Sequence, residues 1–572
     1  MPYVVTQSCC ADASCVVACP VNCIHPAPGE PGFAEAEMLY VDANSCVDCG
    51  ACATACPADA VVPHTALSEA QLPFLKLNAD YYEVFPHTGR APLAIVPPQR
   101  RLTRPGPFRV AVVGAGPAGL YTADELLKHP EVSVDVYDRL PTPYGLVRAG
   151  VAPDHQHTKQ VDQLFRAIEQ QPGFRYFLGV EVGRDLSLEE LSAQYDGVVY
   201  AVGASSDRSL GIEGEELTGS VSATDVVGWY NGHPDKQDLD LGLDRPDRMA
   251  SGRVVIVGNG NVALDVARIL TADPAELERT DIAAVPWSIL HRSRVREVVV
   301  LGRRGAAQAA FTVPELIGLV GLRGVNVTVT GLAPEEADAG AGTVAGDERS
   351  RLLAELAARP QRPGLPTIEL RFLTSPTRIV GDEHGVTGVE VVTNRLEPDA
   401  HGELRAVPTG ERQVLETNLV LRSVGYRGEP VADLPHDPAT GVVPSDRGRV
   451  RPGVYVVGWA KRGPSGFIGT NKTCAQETVT RILDDLDSGA TVTPVGTRAS
   501  IAEVVRGRCP DVVDVAGWQA IDAEERRRGA GRGRARAKIV DVEEMVRVAR
   551  QGARRPARRR YPSAKEWFEK RS

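Results

Sequence analysis

Cys46-Val47-Asp48-Cys49-Gly50-Ala51-Cys52-Ala53-Thr54-Ala55-Cys56-Pro57 spaces four thiols by two, two and three residues and closes on proline. Upstream, Cys9-Cys10-Ala11-Asp12-Ala13-Ser14-Cys15-Val16-Val17-Ala18-Cys19-Pro20 repeats the frame, with aspartate in the second position. Thiolates at this spacing hold iron–sulfur clusters, three from one run and the fourth from the other. Cys46, Cys49, Cys52 and Cys19 then complete a four-thiolate site, expected to hold [4Fe-4S]. Cys9, Cys15 and Cys56 form a second site whose fourth position is Asp12, a hard oxygen donor among soft sulfurs. A [3Fe-4S] cluster and a labile [4Fe-4S] cluster ligated by Asp12 both fit; the missing thiol favours [3Fe-4S]. Cys10 replaces Cys9 if the loop slips by one residue, and Cys23 reads as a small buried residue. Zinc sites pair one CxxC with a distant CxxC, a different pattern. Met1-Pro2-Tyr3 opens no basic-then-apolar leader, so disulfides are not expected.

Charge divides the chain. Residues 1–64 hold no Lys or Arg but seven acids, Asp12, Glu30, Glu35, Glu37, Asp42, Asp48 and Asp59. Such a head is expected to dock on a basic surface. From Arg526 to Ser572 there are 17 Lys or Arg against five acids, so the net charge of −10 averages unlike ends. This basic segment is one candidate docking surface. Its few aromatics (Tyr561, Trp567, Phe568) and lack of a DNA-binding motif speak against nucleic acid. No apolar run approaches the ~20 residues of a membrane span, so a cytoplasmic protein without membrane contact is expected. The 572 residues suggest about three or four domains. Six of the 22 residues from Pro86 to Pro107 are proline, which reads as an extended tether. Leu67–Tyr82, just before it, is apolar enough to pack on the head.

Two nucleotide fingerprints follow. Strand Arg109–Val113 leads into Gly114-Ala115-Gly116-Pro117-Ala118-Gly119 and a helix to about Lys128. The glycines allow a tight turn and let backbone approach a pyrophosphate at the helix N-terminus. The next strand, Val132–Tyr137, ends at Asp138, which suits a ribose diol and repels a 2′-phosphate, so this site takes FAD or NAD rather than NADP. The second fingerprint is strand Arg253–Val257, then Gly258-Asn259-Gly260-Asn261-Val262-Ala263 and a helix to about Leu270. Its second strand, Val295–Leu301, ends in Gly302-Arg303-Arg304, a guanidinium pair suited to the 2′-phosphate of NADP. Further on, Val454–Trp459 and Lys461–Gly469 precede a helix from about Asn471 to Asp485, closed near Gly489. The positive end of that helix suits the pyrimidine edge of a reduced flavin. The histidines show no metal spacing, and Cys474 and Cys509 read as packed thiols.

Four segments carry a resemblance: Pro141–His155, Asn259–Arg268, Gln308–Glu315 and Gly458–Lys472. With them the chain resembles the adrenodoxin-reductase-like ferredoxin–NADP reductases, in the actinobacterial form that carries a fused seven-iron-type ferredoxin. The resemblance extends from the first cysteine run to about Arg550. It implies an α+β bacterial two-cluster ferredoxin domain fused to an α/β two-dinucleotide-binding, Rossmann-like flavoprotein. The implied domains are a ferredoxin at 1–82, a linker at 83–107, a discontinuous FAD domain at 108–208 and 424–550, an NADP domain at 209–423 and a basic tail at 551–572. Gly114, Gly116, Ala118, Gly119, Asp138, Leu146, Val182, Trp459, Gly466, Phe467 and Ile468 would line FAD. Many two-nucleotide flavoproteins carry aspartate where Trp459 stands. Arg208, Asn259, Gly260, Asn261, Val262, Arg303, Arg304, Glu315 and Gly466 would contact NADP. His155 and Glu315 would lie near the reacting rings, with His155 assisting proton movement. The implied reaction sends hydride from NADPH to FAD, then single electrons to the clusters and to an external redox protein, such as a monooxygenase or another ferredoxin. Competing readings are an electron-input subunit of a larger synthase, like the small subunit of glutamate synthase, and an iron–sulfur redox sensor.

Overall fold

The computed structural model describes residues 2–86, 93–94, 99–204, 206–332, 348–491 and 493–553. Its head is an internal duplication. Each position of the first cysteine run has a counterpart 37 residues later: Cys9 and Cys46, Asp12 and Cys49, Cys15 and Cys52, Cys19 and Cys56. The short helices Ser14–Ala18 and Ala51–Ala55 share this offset. The backbone repeats it too. Left-handed φ angles occur at Ala11 (55°) and Asp48 (59°), Ala13 (60°) and Gly50 (75°), and Asn22 (49°) and Asp59 (46°). A left-handed residue with a Cβ costs about 1–2 kcal/mol. Meeting that cost at matching places in both runs shows that the loop shape itself is required. The halves interlock through antiparallel pairs, Tyr3–Val5 with Val61–Pro63 and Ile24–His25 with Tyr40–Val41.

Helix Pro73–Val84 closes the head. It starts on proline, whose missing N–H is no loss in a first turn. Phe74 is buried. Asn78 Oδ1 accepts from the N–H groups of Val5 (3.2 Å) and Val41 (2.9 Å), and its Nδ2 donates to Val5 O (3.0 Å). Tyr82 donates its hydroxyl to Cys23 O and Tyr40 O. One helix thus ties together strands from both halves.

Two six-stranded sheets form most of the remainder. One runs in the order Arg449–Arg451, Val454–Val456, Gly197–Tyr200, Phe108–Val113, Val132–Asp138, Phe174–Leu178, with only the first pair antiparallel. The other is wholly parallel: Ser220–Ser222, Leu419–Arg422, Arg253–Val257, Glu297–Leu301, Thr367–Arg371, Asn326–Thr330. Their central strands are buried on both faces, which explains continuous apolar runs such as Val254-Val255-Ile256-Val257. The second sheet is inserted in sequence between strands of the first. A three-stranded antiparallel sheet (Thr374–Asp382, Gly385–Pro398, Leu404–Glu416) lies within that insertion. Helices Val515–Ala530 and Val542–Ala553 return to the first sheet, burying Trp518, Ile521, Met545 and Ala549 in its core.

Element ends differ from the sequence reading by one to three residues at several places, as where the strand expected from Arg109 starts at Phe108 and the helix expected to end near Asp485 runs to Ser488. The head's last helix runs to Val84, past the expected limit at 82, as an exposed end whose ladder is continued by Phe85 N–H on Tyr81 O (2.8 Å). The last helix runs to Ala553, past the limit at 550, where Gly552 packs closely on Ala520 of the preceding helix. The strand expected from Val295 starts at Glu297. The tether is also fastened at its end: Arg100 pairs with Asp484 (2.5 Å) and Asp487 (2.8 Å), and Thr103 N–H donates to Asp487 (2.8 Å). Its middle, 87–92 and 95–98, and the Arg-rich stretch 554–572 lie outside the described residues.

Candidate functional site

Each fingerprint sits where a central strand of its sheet meets a helix. At Gly114 (φ 111°) a Cβ would lie 2.4 Å from Ala201 O, and at Gly119 1.9 Å from Gly114 O. These two glycines make the tight turn and the close helix–strand contact. The middle glycine, Gly116, has only Gly145 Cα within 4 Å, at 3.9 Å. In the second fingerprint a Cβ at Gly258 (φ 108°) would meet Ser423 O at 2.1 Å, while Gly260 has nothing within 4 Å. The open side of Gly116 and of Gly260 is the room a pyrophosphate needs. Helices Pro117–Leu127 and Asn261–Thr271 start at these points. Ala118 closes the first site against Gly458, where an added Cβ would lie 2.5 Å from that of Ala118.

Asp138 ends the neighbouring strand as expected. Its carboxylate accepts from Ala115 N–H (2.8 Å) and Leu140 N–H (2.9 Å), leaving a lone pair on each oxygen for a diol. Burial raises its pKa against those two bonds. Arg303 is exposed and Arg304 half-buried at the tip of the second sheet, and neither guanidinium has an ion-pair partner among the described residues. Two such groups beside an open glycine turn fit a phosphate. Arg208 is exposed beside Gly425, whose carbonyl accepts from its N–H (3.0 Å). Asn259 and Asn261 reach Ala310 N–H (3.5 Å) and Thr312 N–H (2.8 Å), holding the fingerprint to the Gln308–Glu315 segment. Val262 is half-buried on the same turn.

Leu146, 38% exposed, starts a helical turn beside the first fingerprint. Val182 is half-buried beyond the sheet's edge strand. Trp459 follows Gly458 (φ 70°), donates Nε1–H to Ser465 O (3.1 Å) and packs on Tyr426 with ring centroids 5.1 Å apart. Gly466 and Phe467 precede helix Thr470–Ser488, and Phe467 N–H donates to Thr470 Oγ1 (2.9 Å).

His155 and Glu315, expected near the reacting rings, come together: Nε2 and Oε2 are 3.9 Å apart. The sequence reading missed what joins them. Buried Arg268 lies 2.5 Å from Asp154, 2.6 Å from Asp265, 2.8 Å from His155 Nε2 and 3.7 Å from Glu315. Burial, then Asp265, raises the Glu315 pKa. Against the cost of burial, Arg268 holds the Asp154 carboxyl low. His155, Asp265 and Glu315 have ligand atoms within 4.8 Å of one another, but Arg268 already supplies the positive charge there. The Asp265–Arg268 spacing on one helix was the available signal.

Cys19, Cys46, Cys49 and Cys52 line one small cavity with Tyr3, Val21 and Cys23. Cys23 is buried as expected, yet its sulfur is 3.4 Å from Cys19 Sγ and its N–H donates to that sulfur (3.3 Å). Hydrogen bonding from Cys23 pulls the Cys19 thiol down from its ordinary value. Cys9, Cys15, Cys56 and Asp12 converge separately. Burial pushes Cys9 up to about 12 and Cys15 well above its ordinary value, each helped by the neighbouring charges. Ala60 N–H donates to Cys56 Sγ (3.3 Å). Converging thiols with N–H groups aimed at sulfur fit iron–sulfur clusters. Asp12 accepts the Ser14 N–H at 3.2 Å on one oxygen and the Ser14 hydroxyl on the other. Cys10 is buried beside them, the counterpart of Val47 rather than of a thiol. Cys474 is buried, as expected of a packed thiol, and Cys509 half-buried.

Residues 108–302 match the family model "Pyridine nucleotide-disulphide oxidoreductase", and residues 39–62 match "4Fe-4S binding domain". A "Probable ferredoxin/ferredoxin--NADP reductase" of Mycobacterium leprae is 47% identical over 566 residues, covering 96% of this chain and 98% of that protein. The chain is a member of the ferredoxin/ferredoxin–NADP reductases. The solved structure "Mycobacterium tuberculosis FprA in complex with NADPH" is 43% identical and superposes with a TM-score of 0.72, covering 78% of this chain and 100% of that one. The mitochondrial "NADPH:adrenodoxin oxidoreductase" of Arabidopsis thaliana is 40% identical over 466 residues, 77% of this chain and 95% of that protein.

In this ferredoxin–NADP reductase the head rests on helices of both nucleotide-binding sheets. Gly469 N–H donates to Cys10 O (2.7 Å), Lys472 Nζ to Asp12 O (3.3 Å), and Ile468 packs with Cys9, Cys10 and Cys56. Gln7 donates to Glu315 Oε2 (3.0 Å), and Glu37 accepts from Val313 N–H (2.8 Å) and pairs with Arg349 (3.2 Å). Docking on the basic Arg526 segment is a corrected expectation for the described part of that segment. Arg526, Arg528 and Arg536 are instead paired with Asp522, Glu524, Glu525 and Glu544 of the adjoining helices. No described helix is long and apolar enough to cross a membrane.

Proposed function

We propose that this chain accepts hydride from NADPH at bound FAD and delivers the electrons one at a time, through its own clusters, to an external redox protein. Bound FAD supplies the conversion of one two-electron transfer into two single-electron transfers. The observation that carries the reading is the seating of the Asp12 loop: Cys10 O accepts from Gly469 N–H, one residue after the segment Gly466–Ile468 that we assign to FAD. A cluster loop against a flavin segment has no role in an ordinary dehydrogenase.

The residues divide the work. Gly114, Gly116 and Gly119 admit the FAD pyrophosphate, Asp138 takes its ribose, and Ala118, Leu146, Val182, Trp459 and Gly466–Ile468 line it. Asn259–Val262 admit the second pyrophosphate, with Gly466 at its nicotinamide end, and Arg303, Arg304 and Arg208 hold the 2′-phosphate side. Arg268 orients His155 and Glu315 at the ring end. Burial and then Asp265 raise the Glu315 carboxyl above its ordinary value, and its Oε2 stands 3.9 Å from His155 Nε2, which supports assigning both titratable groups to the ring end. We assign the ferredoxin to residues 1–84, the FAD domain to 108–208 and 424–553, and the NADP domain to 209–423. Cys46, Cys49, Cys52 and Cys19 hold [4Fe-4S]. The 37-residue correspondence supports Cys9 rather than Cys10 for the other site, and the engagement of Asp12 by Ser14 supports [3Fe-4S] there.

Anaerobic addition of NADPH, followed by visible absorbance and EPR, tests this. Flavin bleaching should be followed by cluster reduction in the same chain. A holoprotein whose flavin bleaches while both iron centres stay oxidised refutes it.

A further inference from the structure

The head has two unlike ends. At one, Cys10, Ala11 and Asp12 lie against Gly469 and Lys472, and Cys9, Cys10 and Cys56 share an apolar cluster with Ile468. Cys10 and Cys15 are buried and Cys9 is half-buried. At the other, Val47, Asp48 and Cys49 are consecutive exposed residues, Val47 at 58%. Val47 and Cys49 border the cavity formed by Cys19, Cys46 and Cys52. The duplicated loops are therefore used differently: Cys10 is covered by the reductase, and its counterpart Val47 faces solvent.

We infer that Val47, Asp48 and Cys49 form the face through which the [4Fe-4S] site discharges, and that its partner is a redox protein with a basic rim around an exposed cofactor. This rests on the proposed function and adds an order: the Cys9/Cys15/Cys56 site is the inlet and the Cys46/Cys49/Cys52/Cys19 site the outlet. Charge carries the choice of partner. Residues 1–64 contain no Lys or Arg, so no basic side chain of those types in that segment opposes a basic partner. Glu37 faces the reductase, paired with Arg349, whereas Asp48 is exposed at the outlet. A small apolar centre beside an exposed acid is suited to brief docking, in which charge sets the encounter rate. Chemically, one NADPH becomes NADP+ with release of one proton, and its two electrons leave singly to reduce two ferric haems to ferrous.

Cytochrome c, a lysine-rimmed haem protein, is the probe. In the full-length holoprotein, V47K should slow cytochrome c reduction by roughly fivefold or more at low salt, and V47E should speed it. Both variants should keep wild-type NADPH-driven EPR changes at both clusters. Opposite signs separate docking from damage, because a damaged cluster slows both. A second readout is independent of turnover: carbodiimide coupling of the oxidised proteins should link Asp48 to a cytochrome lysine, located by peptide mapping. Equal effects of V47K and V47E, or cross-links confined to other parts of the chain, overturn the inference. If the wild-type clusters do not respond to NADPH, it is the proposed function that fails, whatever the cross-link map shows.

Discussion

Arg303 and Arg304 show how much a single residue type can decide. Both stand out in the sequence because they follow the second strand of a Rossmann unit, the position we assign to a 2′-phosphate. With no acid engaging them among the described residues, the double variant R303A/R304A removes only the phosphate's partners and should fold normally. Losing charge-assisted bonds worth about 2–3 kcal/mol raises KM for NADPH roughly 30- to 150-fold, with KM for NADH little changed. Asp12 gives a second test. D12C restores the fourth thiol, so the three-iron EPR signal of the oxidised protein should vanish and iron content rise by about one atom per chain. Glu169 was invisible to sequence reading, since its meaning comes from burial. Burial pushes its carboxyl up to about 8, against a hydrogen bond from Tyr144. Its stability contribution is complete below its ordinary value of 4.5 and declines as pH rises towards 8, because only the unfolded state ionises freely over that range. That decline is on the order of several kcal/mol. E169Q should match wild type at about pH 5 and lose less melting temperature on going from there to about pH 9.

At the scale of elements, strands and fingerprint helices were readable because their periodicity and glycines are local. Helix Thr470–Ser488 ends on Gly489 (φ 71°), as its sequence announced. The Arg268 network was not readable as a unit, because Asp154, Asp265 and Glu315 come from three separate segments. Helix Pro73–Val84 was legible as an apolar extension, but the role of Asn78 was not. A polar residue in an apolar face gives no hint that it bonds Val5 and Val41, groups that lie in two other strands. The docking contact was equally hidden, because Gly469 reads in sequence as part of a glycine-rich turn. A Cβ there would lie 2.1 Å from Ala11 C and O and 2.3 Å from Asp12 N. G469A must push the inlet loop away. Stopped-flow traces should show cluster reduction slowed roughly tenfold or more relative to flavin reduction.

Across the whole molecule, the opposite charges of head and tail suggested docking by electrostatics, and the structure assigns most of the contact to shape. Gly469 fits against the Ala11 and Asp12 backbone with no room for a methyl, and Gly318 lies under the flexible end of the Gln7 side chain. The ion pairs between head and reductase are few among the described residues and unequal. Glu69–Arg323 has side chains 85% and 84% exposed, a pair of negligible strength, and Glu37–Arg349 is the better shielded. Covalent attachment adds to this. It holds the head at an effective concentration on the order of mM, so a weak docking surface stays occupied. It follows that electron entry and exit respond differently to salt. Flavin-to-cluster transfer should be first order and independent of protein concentration. It should change by less than about twofold as salt rises from about 20 to 500 mM, where the Debye length shrinks to a few Å. Cytochrome c reduction by the same preparation should fall steeply over that range, since its encounter depends on charge. Parallel losses in both rates would place ion pairs, rather than shape, in control of head docking.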